Sequence, residues 1–149
     1  MCCGDLIKIF QKPGCFEAVS SCNENGKAFN FKRRKGSTAA FCRVKVDGCL
    51  ITAGVAKCDY VFVRCVNDNS PQDFHFVELK GSDVSWACEQ IITTVDHFKK
   101  IASLNIGQIR CHLISNSVPR AANQELRQWK QKFKKELDID LETKWTVDV

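Results

Sequence analysis

The alternation of apolar and polar positions along the chain changes period twice, and those changes mark out an order of elements. Lys27 to Phe31 and Phe41 to Ile51 read as strands joined by the basic turn Arg33-Arg34-Lys35-Gly36-Ser37. In the second strand Cys42, Val44 and Val46 fall on one face, with Arg43, Lys45 and Asp47 on the other. Gly54 marks a turn, and the β-branched and aromatic run from Cys58 to Cys65 has the composition of a buried strand. Asn67-Asp68-Asn69-Ser70-Pro71 suits a hairpin loop and leads into a strand from Phe74 to Lys80. Beyond Gly81, Ser82 or Asp83 can cap a helix running to about Ser103. Its Val84, Ala87, Cys88, Ile91, Val95 and Phe98 form a stripe near the 3.6-residue period. A strand at Ile109 to Ile114 and a helix from Ala121 to Leu137 follow, while residues 4 to 22, interrupted by Pro13 and Gly14, admit a short helix around Phe16 to Cys22. The order implies a single α/β domain over residues 1–149, with a central mixed β-sheet flanked by helices.

Composition narrows the setting. At 149 residues, 44% of them hydrophobic, the chain can bury roughly two thirds of its unfolded surface, which excludes a disordered chain. No apolar run approaches the roughly 20 residues of a membrane-spanning helix. Met1-Cys2-Cys3-Gly4-Asp5 lacks the basic and apolar regions of a secretory signal, so a cytoplasmic protein is expected. The ten cysteines are then expected as reduced thiols, with Cys42, Cys49, Cys58, Cys65, Cys88 and Cys111 acting as small hydrophobes. Cys2, Cys3, Cys15 and Cys22 lack the spacing of the usual zinc or iron-sulfur ligand loops. The net charge of +5 is concentrated in Lys27 to Lys35 and in Arg120 to Lys135. Opposed phosphates are natural partners for such clusters, which nominates Arg33, Arg34, Lys35, Lys130 and Lys134 as nucleic-acid contacts; a solvated surface is the plainer alternative.

Polar residues at the ends of two neighbouring strands carry the candidate chemistry. Asp59 opens one strand, while Glu78 and Lys80, two positions apart, share a face at the end of the next. A hairpin through Asn67 to Pro71 would bring Asp59 beside Glu78. Two adjacent carboxylates repel unless a proton or a cation intervenes, and hard oxygen ligands suit Mg²⁺ or Mn²⁺. Lys80 would then position the attacking water or stabilise charge on the phosphate. An ion pair at the rim of the sheet is the competing reading.

The combination resembles the PD-(D/E)XK nuclease superfamily, the fold of restriction endonucleases and Holliday-junction resolvases, over about Val44 to Ile114. Lys57-Cys58-Asp59-Tyr60 is similar to the strand bearing that superfamily's metal-binding aspartate, and Phe76-Val77-Glu78-Leu79-Lys80-Gly81 to its E-x-K strand. Gln90, with Thr93 and Thr94, resembles the glutamine motif on the helix that follows. The resemblance implies a restriction-endonuclease-like core and a nuclease acting on DNA ahead of RNA. In it Asp59 and Glu78 bind Mg²⁺ or Mn²⁺, Lys80 assists the hydrolytic water and Gln90 supports the site. It also implies a further metal-binding acid, for which Glu17 is a candidate alongside Glu24 and Asp47, and a homodimer. A catalytically inactive nuclease-fold module binding nucleic acid or a protein partner, as in phage defence or toxin neutralisation, is the alternative.

Histidine and aromatic candidates are weaker. His75, His97 and His112 stand far apart in sequence, and alternation puts His75 on the side of Val77, as a core or rim residue. Cys88 and His97 are too far apart along one helix to make a thiolate pair, which disfavours a cysteine hydrolase. Trp129 and Phe133 share a helix face and are expected in the core, and Trp86 is expected to pack on the sheet.

Overall fold

The computed structural model describes residues 2–24, 26–51, 55–66, 70–79, 83–102, 106–115 and 120–149. Two runs of alternating residues build its centre. In β5 (Tyr60–Val66), Val61, Val63 and Cys65 face one way and Tyr60 and Phe62 the other; in β6 (Ser70–Leu79), Phe74 and Phe76 oppose Val77 and Leu79. The two strands form an antiparallel hairpin with Tyr60 opposite Val77, so the start of one lies beside the end of the other.

Four more strands extend this pair. β1 (Phe16–Glu17) and β4 (Ala40–Lys45) add antiparallel neighbours on the β5 side, and β7 (Ile109–Ile114) and β8 (Leu141–Glu142) add parallel ones beyond β6. The result is a mixed six-stranded sheet in the order β1-β4-β5-β6-β7-β8. The parallel step from β6 to β7 requires a crossover, which α2 (Val84–Ala102) supplies. Asp83 starts that helix, its carboxylate accepting a hydrogen bond from the Trp86 amide at 3.0 Å. Ser82, the other candidate cap, lies outside the described residues.

Helices cover one face of the sheet. The stripe on α2 packs there with α1 (Gly4–Phe10), with α3 (Arg120–Lys132) and with the wider helical turn Phe133–Leu137. The opposite face is covered by a second sheet, where β2 (Ser21–Glu24) and β3 (Lys27–Lys32) form a hairpin and β9 (Thr146–Asp148) runs parallel to β3. Phe29 and Phe31 of β3 meet Phe41 and Phe62 of the main sheet across this interface, with Phe31 stacked on Phe41 at 4.5 Å between ring centres. The α/β class and the mixed sheet agree with the sequence pattern, but the layers run helices, large sheet, small sheet. Trp86 is largely exposed rather than packed on the sheet.

Three local expectations are corrected. Phe16 to Cys22 is not helical: Phe16 pairs with Val44 in β1, and Cys22 is buried in β2 between exposed neighbours, a two-residue period. The strand expected to reach Ile51 ends at Lys45, because Gly48 adopts φ +76° and turns the chain after Asp47. Six of the cysteines are not thiols. Cys2 bonds Cys65, Cys3 bonds Cys42 and Cys15 bonds Cys49, while Cys22, Cys58, Cys88 and Cys111 are buried free thiols. Such bonds persist in oxidising surroundings, contrary to the reduced state expected of the sequence. Among the described residues, no helix is long and apolar enough to cross a membrane.

Candidate functional site

The hairpin register sets Asp59 opposite Glu78, one step beyond the Tyr60–Val77 pair. Asp59 accepts a hydrogen bond through Oδ2 from the Leu79 amide at 2.8 Å, which fixes its carboxylate at the end of β6. Glu78 is 1% exposed and lies on the helix-facing side of β6, with Phe74 and Phe76. Cys58, one residue before Asp59, is wholly buried, its thiol 3.5 Å from the Tyr60 carbonyl. Burial pushes its pKa well up, and the nearby charges of Glu78 and then Asp59 push it further, against a lowering hydrogen bond with Thr94.

Helix α2 braces this end of the sheet. Gln90 Nε2 donates to the Lys57 carbonyl at 3.1 Å, and the Cys58 amide donates to Thr94 Oγ1 at 2.8 Å. The Thr94 hydroxyl itself donates to the Gln90 carbonyl one turn back, at 2.8 Å. Gln90 and Thr94 therefore clamp the two residues that precede Asp59, and Gln90 Oε1 is buried with no hydrogen-bond partner among the described residues. Of the glutamine motif, Gln90 and Thr94 reach the site's backbone.

The remaining candidates are dispersed. Lys80 lies outside the described residues. Glu17, expected to join the metal ligands, is instead paired with Arg43 at 3.1 Å. Arg43 stands opposite Phe62 and bonds the Ser21 carbonyl, which puts the pair on the small-sheet side, away from Glu78. Glu24 is also on that side, accepting from the Tyr60 hydroxyl at 2.6 Å. Asp47 is exposed in the turn after β4, 4.0 Å from the Lys57 ammonium. The basic clusters split between layers: Arg33, Arg34 and Lys35 follow β3 of the small sheet, whereas Lys130 and Lys134 are on the helix side and Lys134 pairs with Asp138 and Asp140. Among the described residues, no three of His, Cys, Asp and Glu form a group able to hold a metal ion.

A second polar centre lies on the opposite face of β6, between the two sheets. Arg64 grips Asp73 with two nitrogens, at 2.7 and 3.1 Å to Oδ2. Asp73 Oδ1 is 2.7 Å from His75 Nε2, and His75 Nδ1 is 2.8 Å from His112 Nε2. Burial raises the Asp73 pKa, but the hydrogen bonds from His75 and Arg64 outweigh it and hold the carboxyl at about 2. His112 is lowered to about 3 by burial first, and then by the charges of His75 and Arg110. Alternation along β6 places His75 with Val77, as the sequence pattern indicates. It cannot show that β7 lays His112 beside His75, since parallel pairing 37 residues away leaves no local trace. Compared with family models, curated proteins and solved structures, the chain matches none.

Proposed function

We propose that the protein is a divalent-metal-dependent nuclease built on a restriction-endonuclease-like core. The observation that carries the reading is the strand register that sets Asp59 opposite Glu78, with Asp59 bonded to the Leu79 amide and the preceding backbone braced by Gln90 and Thr94. Two carboxylates fit a hard cation that completes its shell with water and substrate phosphate. Mg²⁺ or Mn²⁺, when bound, supplies charge neutralisation at the phosphodiester and an oriented water. Asp59 and Glu78 would hold it, and the hydrogen bond from the Leu79 amide fixes the orientation of the Asp59 carboxylate at the strand end. Gln90 and Thr94 are positioning residues that fix the Lys57-Cys58 backbone. Lys80 takes the water-activating role, and DNA is the first substrate to try.

Plasmid, linear duplex and single-stranded DNA and RNA, each incubated with Mg²⁺ or Mn²⁺, test the reading. Cleavage lost in Glu78→Gln and in Asp59→Asn, which retains a hydrogen-bond acceptor, supports it. Cleavage that survives both, or is absent from the wild type with every substrate, overturns it. One observation favours the non-catalytic alternative: Arg43 and Tyr60 occupy Glu17 and Glu24, the acids otherwise available to complete the ligand set. That reading predicts nucleic-acid or protein binding without turnover, and no heat of Mg²⁺ binding that depends on Asp59.

A further inference from the structure

At the end of the sheet where Asp59 is fixed, a recess opens one strand further along. Leu79, whose amide binds Asp59, is the register partner of Ile114, the last residue of β7. Ile114 and the following Ser115 line a cavity of about 270 Å³ together with Gly26, Ala28 and Trp145. Gly26 turns the β2–β3 hairpin at φ +74°, and with Ala28 and Ser115 it keeps three of these five positions small. Trp145 is the large one, and it is 61% exposed. Its backbone is nevertheless held: the Trp145 carbonyl accepts a hydrogen bond from the Asn30 amide at 3.0 Å, immediately before β9 pairs with β3. A single exposed aromatic is ordinary. One anchored by its backbone beside a recess of small residues, at the rim that carries Asp59, is placed to take a planar ring. The rim is also cationic: Lys27 and Lys144, next in the chain to lining residues, have no carboxylate within ion-pairing distance among the described residues. Glu24, opposite Lys27 in the hairpin, is engaged by the Tyr60 hydroxyl.

We propose that this recess receives an unpaired nucleobase of the substrate strand, its face laid on the Trp145 indole. The proposal deepens the nuclease reading and rests on it for the presence of a nucleic-acid strand across this rim. Neighbouring strands are spaced about 4.8 Å apart, which puts β7, two places along from β5, about 10 Å across the sheet from Asp59. That is about three nucleotides at the stacked rise of roughly 3.4 Å, and fewer on an extended strand, so one strand can reach both places. It has to pass over the end of the sheet, since Ile114 packs on the small-sheet side with Leu79 whereas Glu78 is on the helix side with Phe76. A base inside a duplex is covered on both faces by its neighbours and has none to offer an indole; an unpaired or extruded base does. The substrate class is therefore a single-stranded segment rather than intact duplex. Stacking uses the π-face that all bases share, and three small residues with one isoleucine offer little to tell bases apart, so the selectivity is for strandedness and not for sequence.

Fluorescence anisotropy of the full chain with a labelled oligothymidine and with a labelled blunt DNA hairpin, in EDTA so that nothing is cut, tests it. The oligothymidine should bind more tightly than the hairpin. Trp145→Ala should weaken oligothymidine binding about tenfold while leaving hairpin binding and the urea midpoint unchanged, because the side chain is exposed. Trp145→Phe, which keeps a stacking face, should recover most of the loss. An oligomer of abasic spacers should bind the wild type and Trp145→Ala alike, a result that a merely structural role for Trp145 would not produce. Tighter binding of the hairpin, equal affinity of wild type and Trp145→Ala for oligothymidine, a Trp145→Ala loss shared by the abasic oligomer, or no binding of either nucleic acid overturns the proposal. The nuclease reading fails separately: if oligothymidine binding depends on Trp145 but no substrate is cleaved with Mg²⁺ or Mn²⁺, the recess keeps its ligand and only the chemistry at Asp59 falls.

Discussion

Breaking the disulfides is the perturbation with the largest expected effect. Cys2 and Cys65 are 63 residues apart, Cys3 and Cys42 are 39 apart, and Cys15 and Cys49 are 34 apart. Closing loops of these lengths removes enough freedom from the unfolded chain to stabilise the fold by roughly 4 kcal/mol for each bond taken alone. The contributions do not add in full, because the loops overlap: Cys3–Cys42 and Cys15–Cys49 both lie within Cys2–Cys65 and cross each other. With Cys2–Cys65 closed, the shorter path from Cys3 to Cys42 runs through that bond, so the inner loops remove less entropy. Even so, losing two of them approaches the roughly 5–15 kcal/mol that separates a typical folded domain from its unfolded chain. Urea denaturation with and without reductant measures the effect, and the reduced protein should melt at a much lower midpoint. The Cys15→Ser/Cys49→Ser double variant should lose the most easily isolated share. Thiol titration of the denatured, unreduced protein is the stricter test: of ten cysteines six are bonded, which leaves Cys22, Cys58, Cys88 and Cys111 to react. Ten reactive thiols, with a midpoint indifferent to reductant, would refute the pairing and restore the reduced state that the sequence suggests.

Three smaller perturbations probe the two polar centres. Thr94→Val removes the acceptor for the buried Cys58 amide and should destabilise the protein by roughly 1–3 kcal/mol in urea melts, while loosening the Asp59 segment enough to reduce Mg²⁺-dependent cleavage. Tyr60→Phe deletes the bond to Glu24 and should cost about 1 kcal/mol with cleavage retained, since that hydroxyl is on the small-sheet side; loss of cleavage would place Glu24 in the metal site. Acid should act in two stages. His112 is favoured neutral in the fold, so its contribution is present above the ordinary imidazole value of 6.5 and is lost as the pH falls toward about 3. Asp73 is favoured ionised, so its contribution is present above 3.8 and is lost toward about 2. Urea midpoints that stay level between about pH 7 and about pH 4 would refute the first stage.

Sequence periodicity determined much of the Asp59 end of the sheet, because the features involved are local. Alternation in Tyr60 to Leu79 and the apolar stripe of α2 identify the hairpin and its supporting helix, and a hairpin leaves Asp59 little choice but to meet the end of β6. Asp83, one of two residues nominated as the cap of α2, plays that part because capping depends on the few residues around it. The two-stranded segment from Phe16 to Glu24 was obscured because strands this short carry too few residues to declare a period.

Tertiary structure alone decided the rest. Pairing β3 with β9 joins Asn30 to Thr146, and no local pattern in either segment names its partner. That pairing adds the third strand of the sheet that covers the face opposite the helices, the side on which Glu17 and Glu24 find Arg43 and Tyr60. The cysteines follow the same logic: apolar neighbours mark a buried sulfur, but whether two sulfurs meet depends on where α1 docks against β4 and β5. His75 and His112 are two more residues whose chemistry is set by a neighbour distant in sequence, through a parallel register that only the crossover of α2 can establish.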